Sequence, residues 1–173
     1  MRAHAFFKAV TVDEAELLDR LVRILDQLKL AYCVIGGQGV NAYVEPLVSL
    51  DLDVVVGAGD IDALLAALPS DWRVERFPHS INVSAAASDL RVQVQIDPRY
   101  QEFAARASVR SVLGKAMRVA AIEDVLTGKV WAAQDESRRP SKRLKDLADI
   151  ARLVEAFPDL RSHVPRAILD RLV

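Results

Sequence analysis

Two acidic residues stand at the start of an apolar run, and this feature constrains the fold more than any other. Asp51-Leu52-Asp53 runs directly into Val54-Val55-Val56. The valines predict a buried strand, and residues two apart on a strand project from the same face. Two unpaired carboxylates side by side are costly to bury, so the pair needs a counter-charge. A hard divalent cation such as Mg²⁺ prefers such oxygen ligands. The alternative interpretation is a solvated strand end with two surface acids.

A second apolar run ends in a pair of glycines. Tyr32-Cys33-Val34-Ile35 predicts a strand, Gly36-Gly37 follows it, and helical turns are expected over 38–44. Backbone N–H groups at such a turn can face a phosphate, because glycine has no Cβ in the way. A plain tight turn between strand and helix is the alternative. The segment lacks both the dinucleotide-binding fingerprint and the Walker lysine, which disfavours the common phosphate-loop families.

Hydrophobic periodicity divides the chain into a mixed part and a helical tail. Leucines at helical spacing predict a helix over 13–30, opened by a capping box of Thr11 and Glu14. Strands and helices alternate after it, with strands expected over 72–77, 80–85 and 90–96 and short strands on either side of Gly114. Helices are expected over 122–134, 142–157 and 161–172. The fold class is therefore α/β (α+β), with residues 1–120 as an α/β core and 121–173 as a helical region packed on it.

Taken together, the glycine turn and the acid pair resemble the signature of the polymerase-β-type nucleotidyltransferase superfamily. In that signature an apolar residue and two small residues are followed by a spacer, here 13 residues long, and by paired acids on the next strand. The matching positions are Ile35, Gly36, Gly37, Asp51 and Asp53. The resemblance implies a nucleotidyltransferase-type mixed sheet flanked by helices. It also implies that the glycines hold the triphosphate of an NTP and that the acids hold Mg²⁺ (or Mn²⁺).

The resemblance also implies a third acid on a later strand. Asp97 is the candidate, because it follows the alternating run Leu90–Ile96 on the polar face of that strand, directly before Pro98. It would hold a second metal and help to activate the attacking hydroxyl. A simple strand-end acid before a turn is the alternative. Glu75 and Asp89 are the other candidates for this position.

The C-terminal third resembles the tail of the minimal nucleotidyltransferases of abortive-infection and toxin–antitoxin type. The matching positions are Lys129, Lys145, Asp146 and Asp149. The resemblance implies that the lysines neutralise phosphate charge and that Asp146 orients a base or a neighbouring cation. The bottom-up alternative is a solvated charge run, in which Lys145 and Asp149 form an ordinary i,i+4 pair. This run contains five basic residues: Arg138, Arg139, Lys142, Arg143 and Lys145.

One position departs from the pattern of the relatives. They often carry a basic residue and a hydroxyl just before the acid pair, and the step here is Leu47-Val48-Ser49. Ser49 keeps the hydroxyl and is expected to contact the nucleotide. Leu47 replaces the basic residue, and we expect this change to affect substrate choice and turnover. Tyr43 and Tyr100 are candidates for stacking on a base.

Charge and composition restrict the possible partners. Lys plus Arg is 23 and Asp plus Glu is 24, which excludes a globally basic nucleic-acid binder but allows a local basic patch. No apolar run approaches the ~18–20 residues that span a bilayer, so no membrane partner is expected. The single cysteine, Cys33, lies in an apolar run and is expected to be a buried thiol in a cytoplasmic protein.

The favoured function is an enzyme that transfers a nucleoside monophosphate from an NTP to a hydroxyl. The acceptor would be RNA, such as tRNA, or a protein, and the resemblance implies a cognate antitoxin protein as a partner. A non-catalytic nucleotide- or partner-binding module on the same fold is the alternative. A metal-dependent nuclease or phosphohydrolase that uses the same acids is a third possibility, although a nuclease would have no triphosphate for the glycines to hold.

Overall fold

Seven strands form one mixed sheet in this computed structural model, which describes residues 16–172. The strands are β1 Tyr32–Ile35, β2 Asp51–Val56, β3 Arg73–Arg76, β4 Ser80–Ser84, β5 Arg91–Gln95, β6 Ser108–Val112 and β7 Lys115–Val119. Their order across the sheet is β3-β4-β5-β2-β1-β7-β6. The acid-bearing strand β2 therefore lies at the centre, antiparallel to β1 and parallel to β5.

Helices follow and cover this sheet. They are α1 over residues 16–27, α2 Gly36–Asn41, α3 Ile61–Ala67, α4 Ile122–Gln134, α5 Pro140–Ala156 and α6 Arg166–Leu169. Three 3₁₀ segments connect them, at Ala58–Asp60, Pro98–Arg106 and Pro158–His163. The mixed sheet flanked by helices confirms the expected fold class. The proposed capping box of Thr11 and Glu14 lies outside the described residues.

Several element bounds differ from the sequence expectation. Helix α2 begins at Gly36 itself rather than at residue 38. The expected last helix over 161–172 is instead the 3₁₀ segment and the short α6, because Pro165 has no N–H to continue a helix. The expected short strands near Gly114 are a full hairpin, β6–β7, whose turn residues Leu113 and Gly114 both have positive φ.

Alternation along the central strands assigns each side chain to one of two buried clusters. Leu52, Val54 and Val56 of β2 pack on the face that α1 covers. Val55 faces the opposite cluster, which contains residues of α4 and α5. Because side chains alternate, Asp51 and Asp53 share the face of Val55 and point toward α4 and α5. The acid pair therefore lies between the sheet and the C-terminal helices.

Candidate functional site

Gly36 and Asp53 are in direct contact at the end of β1. Ile35 pairs with Asp53 in the antiparallel register, and Gly36 follows with φ +64°. A Cβ on Gly36 would lie 2.1 Å from Asp53 Oδ2. Glycine is therefore required here for two reasons, because the backbone is left-handed and because the carboxylate occupies the space of a side chain.

Ser49 and Gly37 lie next to each other at the entrance to β2. A Cβ on Gly37 would lie 3.8 Å from Ser49 Oγ, and Ser49 Oγ accepts a hydrogen bond from the N–H of Asp51 at 3.4 Å. The buried Gln38 donates from Nε2 to the carbonyl of Ser49 at 2.8 Å. Helix α2 thus fixes the segment that leads into the acid pair, and the glycines, Ser49 and the acids form one continuous surface.

The two acids have different electrostatic surroundings. Asp51 pairs with Arg91 at 2.8 Å and lies 3.9 Å from Lys142 Nζ. Asp53 is partly buried, and no Lys or Arg of residues 16–172 comes within 4.0 Å of its carboxylate. Burial raises the pKa of Asp53, Lys129 opposes this, and the charge of Asp51 raises it further. A cation between the two carboxylates would favour the ionised form of Asp53 and so oppose both effects that raise this pKa.

A small cavity of about 130 Å³ opens in front of Asp53. Its walls come from the turn at Gly36, from strand β5 through Gln93 and Gln95, from the 3₁₀ segment Pro98–Arg106 and from the C-terminal helices. The residues that line it from the 3₁₀ segment, α4, α5 and the loop between the two helices are Tyr100, Gly128, Lys129, Ala132, Arg138 and Asp146. A Cβ on Gly128 would lie 3.2 Å from the Tyr100 ring, so a larger residue here would push the ring slightly aside.

A buried ion network forms the wall opposite the acids. Lys129 Nζ lies 3.0 Å from Asp146 Oδ1 and 2.7 Å from Asp149 Oδ2. Arg138 Nε lies 2.7 Å from Asp146 Oδ2, and Arg152 Nη1 lies 2.9 Å from Asp149 Oδ1. Burial lowers the pKa of Lys129, but Asp149 and Asp146 more than offset it, so that the pKa is raised and the ammonium stays charged. The network therefore carries three cations and two anions, and it presents positive charge to the cavity.

The structure does not bring Asp97 to the acid pair, which corrects the expectation of a three-acid site. Asp53 is in register with Gln93, and Asp97 lies four residues further along, roughly 13 Å at the usual rise per residue. Its carboxylate caps the next segment by accepting from Arg99 N at 3.0 Å and pairs with the Arg99 side chain at 2.9 Å. This hydrogen bonding to Arg99 lowers the pKa of Asp97.

The other candidates for the third acid also lie elsewhere. Glu75 is on β3, three strands from Asp53, and pairs with Arg73 at 2.6 Å. Asp89 is exposed in the turn before β5. Within residues 16–172, no group of three or more His, Cys, Asp or Glu side chains is placed to hold a metal ion.

The basic run separates into residues at the site and residues in solvent. Lys129, Asp146 and Asp149 are brought together, and Arg138 joins them. Lys145 is exposed and does not line the cavity, and the expected Lys145–Asp149 pair is replaced by contacts of Asp149 with Lys129 and Arg152. Arg143 donates to the Ala133 carbonyl at the end of α4.

Two residues beside the acids were missed by sequence reasoning. Arg91 and Gln93 flank Asp51 and Asp53 because β5 runs parallel to β2. The only sequence signal for Arg91 and Gln93 is the alternation along β5. It predicts that they lie on the polar face of β5, but it does not predict which strand pairs with β5. Of the two tyrosine candidates, Tyr100 lines the cavity. Tyr43 instead donates to the Ala120 carbonyl at 2.7 Å and is covered by Arg110 at 3.9 Å.

Solved structures with this fold are nucleotidyltransferases. ANT(2″)-Ia in complex with adenylyl-2″-tobramycin matches with a TM-score of 0.59 and 16% identity over 91% of this chain and 98% of that chain. The lincomycin-bound lincosamide antibiotic adenylyltransferase LnuA matches with a TM-score of 0.54 and 11% identity, over 79% of this chain and 95% of that chain. An antigenic nucleotidyltransferase-like protein from Paracoccidioides brasiliensis matches with a TM-score of 0.54 and 17% identity, over 96% of this chain and 86% of that chain. The chain thus has the fold of these nucleotidyltransferase structures.

A family comparison makes this assignment more specific. The family described as nucleotidyl transferase AbiEii toxin, Type IV TA system, matches residues 52–173, which is more than half of the chain. The protein therefore belongs to the AbiEii family of nucleotidyltransferase toxins, as the resemblance indicated. The match includes Asp53, Lys129 and Asp146, whereas Gly36, Gly37 and Asp51 precede it. No curated protein sequence matches the chain.

The lengths and hydropathies of the helices were compared with those of membrane-spanning helices. Among residues 16–172, no helix is both long and apolar enough to cross a bilayer.

Proposed function

We propose that this enzyme transfers a nucleoside monophosphate from an NTP to a hydroxyl acceptor at the acid pair. The acceptor oxygen attacks the α-phosphorus, the bond between that phosphorus and the bridging oxygen breaks, and pyrophosphate leaves. The hydroxyl proton is lost to solvent. The observation that carries the proposal is the close packing of Gly36 on Asp53, opposite the positive wall of Lys129 and Arg138.

Asp51 and Asp53 are the proposed ligands of one divalent cation, Mg²⁺ or Mn²⁺. Their chemistry fits, because two carboxylates on one face of a strand offer oxygen ligands and Asp53 has no other cation in contact among the described residues. Such a cation supplies positive charge to the phosphate oxygens when it is bound. The rest of catalysis is positioning and charge neutralisation by the chain itself.

The nucleotide is held by the residues around the acids. Gly36 and Gly37 leave room for phosphate oxygens beside Ser49, whose hydroxyl can donate to them. Lys129 contributes positive charge from a position fixed by Asp146 and Asp149. Arg138 contacts Asp146 through Nε alone in the described structure, which leaves its terminal N–H groups for phosphate. Lys145 is not among the residues proposed to hold the nucleotide, since it is exposed and does not line the cavity.

RNA is the proposed acceptor. Arg139, Lys142 and Lys145 are exposed at the start of α5, and Lys142 Nζ lies 3.9 Å from Asp51. These residues form a basic rim beside the acid pair, which suits a phosphate backbone despite the slightly negative chain. Because the family belongs to a toxin–antitoxin system, a cognate antitoxin protein is proposed as a partner.

A transfer assay tests the proposed function. Each α-labelled NTP is offered with Mg²⁺ to the protein together with total RNA or with lysate protein. Label should appear in RNA with the unaltered protein and should be lost with Asp51→Asn/Asp53→Asn. Label in protein alone would overturn RNA as the acceptor. Nucleotide binding without transfer would indicate a non-catalytic binding module.

A further inference from the structure

The side of the acid pair that faces β5 carries no carboxylate. The parallel register places Arg91 beside Asp51 and Gln93 beside Asp53. Arg91 pairs with Asp51 at 2.8 Å, and Gln93 lines the cavity together with Asp53. A second divalent cation bound from this side would therefore meet a guanidinium and a neutral amide.

The next strand along the sheet extends this neutral surface. Asn82 of β4 is in register with Gln93, and its Oδ1 atom is buried without a hydrogen-bond partner in the described structure. An amide both donates and accepts hydrogen bonds, whereas a carboxylate only accepts them. The amide of Gln93, which lines the cavity, therefore suits a hydroxyl group of the substrate better than a metal ion.

The acids on the opposite wall are also occupied. Asp146 uses one oxygen on Lys129 and the other on Arg138. Asp149 likewise pairs with Lys129 and Arg152. Breaking such buried pairs is costly, so neither carboxylate is free to hold a metal.

We propose that this site holds a single divalent cation, on Asp51 and Asp53, and that Gln93 occupies the place from which a carboxylate would hold a second one. This inference rests on the proposed function, since it assumes that the acid pair holds a cation. Gln93 would instead bind a substrate hydroxyl, with Asn82 beside it. No carboxylate of the described chain is then available to take the proton of the attacking hydroxyl.

Manganese spectroscopy tests the inference independently of turnover. Two Mn²⁺ ions at the ~3.5–4 Å spacing of two-metal sites couple magnetically, and a single ion does not. The full chain is loaded with Mn²⁺ and a non-hydrolysable α,β-methylene NTP analogue, and its electron paramagnetic resonance spectrum is recorded. We expect one bound, uncoupled Mn²⁺ per chain. In Gln93→Glu we expect two bound ions and a coupled spectrum.

Gln95→Glu is the matched control, because Gln95 lies two residues further on the same face, in register with Val55 rather than with Asp53. It adds the same charge and should leave the spectrum uncoupled. Urea unfolding of both variants verifies that they are folded.

Each contrary result has its own meaning. A coupled pair in the unaltered protein would overturn the single-cation inference. A folded Gln93→Glu that stays uncoupled, or a Gln95→Glu that also couples, would overturn the place assigned to Gln93. The absence of bound Mn²⁺ in the unaltered protein would instead refute the acid-pair cation site of the proposed function.

Discussion

At the scale of single residues, the candidate site is marked by the direct packing of Gly36 on Asp53. Both were predictable, because a glycine pair after an apolar strand and two acids before three valines are visible in the sequence. Gln93 and Arg91 were not, because their positions depend on pairing between β2 and β5, some 40 residues apart. Asp97 was misplaced for the same reason, since the register of two strands cannot be derived from the alternation of one.

Replacing Gly36 by alanine should abolish cation binding at the acid pair. The added Cβ would displace the Asp53 carboxylate, and the left-handed backbone would add strain of about 1–3 kcal/mol. Calorimetric titration with Mn²⁺ and urea unfolding measure the two effects. Gly59→Ala is the control, because a Cβ there would have no neighbour within 4 Å. Unaltered Mn²⁺ affinity in Gly36→Ala would contradict the assigned contact.

Cys33 should be inert in the folded protein. Burial raises the pKa of Cys33 to about 12, with a smaller contribution from Asp124. At pH 8 only about one thiol in ten thousand would be ionised, since each pH unit below the pKa reduces the thiolate tenfold. Maleimide labelling followed by mass spectrometry should show no modification without denaturant and full modification in urea. Rapid labelling of the folded chain would show that β1 is accessible to reagent.

At the scale of elements, the packing of α4 and α5 gives two lysines of these helices different surroundings. Lys129 is buried between two carboxylates, whereas Lys145 is exposed, and only the packing of the helices decides which face turns inward. Lys129 and Asp146 line the cavity in front of Asp53, whereas Lys145, which the resemblance also implied as a site residue, does not. Pro165 interrupts the last helical segment, which explains why the last helix is shorter than its periodicity predicted.

Lys129→Met should destabilise the protein by about 3–5 kcal/mol, because it leaves Asp146 and Asp149 buried with less compensating charge. Lys145→Met on the exposed face of α5 should change the free energy of unfolding by no more than about 0.5 kcal/mol. Urea denaturation measures both variants under the same conditions. Equal stability of the two variants would contradict the buried network.

At the scale of the whole molecule, the sheet and the C-terminal helices share one buried cluster. It joins Cys33, Ile35 and Val55 of the strands to Val125 of α4 and Ile150 of α5. The helical region thus buries the same face of the sheet that carries the acids. The division into a core of residues 1–120 and a helical region of residues 121–173 stays a prediction. Whether the two parts unfold together or separately tests it.

The two tryptophans can test this cooperativity in the intact chain. Trp72 lies in the cluster on the α1 side of the sheet, and Trp131 lies on α4 on the other side. Trp72→Phe and Trp131→Phe each leave one reporter. In both variants the fluorescence midpoint in urea should coincide with the midpoint from circular dichroism, because one cooperative unit has a single transition. An earlier fluorescence transition at Trp131 would indicate that the helical region unfolds independently.

The central claim is that the acid pair supports transfer of a nucleoside monophosphate, and labelling at two positions of the NTP tests it most directly. The enzyme, Mg²⁺ and RNA are incubated with NTP labelled at the α-phosphate or at the γ-phosphate. We expect the α-label to enter RNA, the γ-label to be released as pyrophosphate, and Asp51→Asn to abolish both. Transfer of the γ-label to RNA, or α-label transfer that persists in Asp51→Asn, would contradict it.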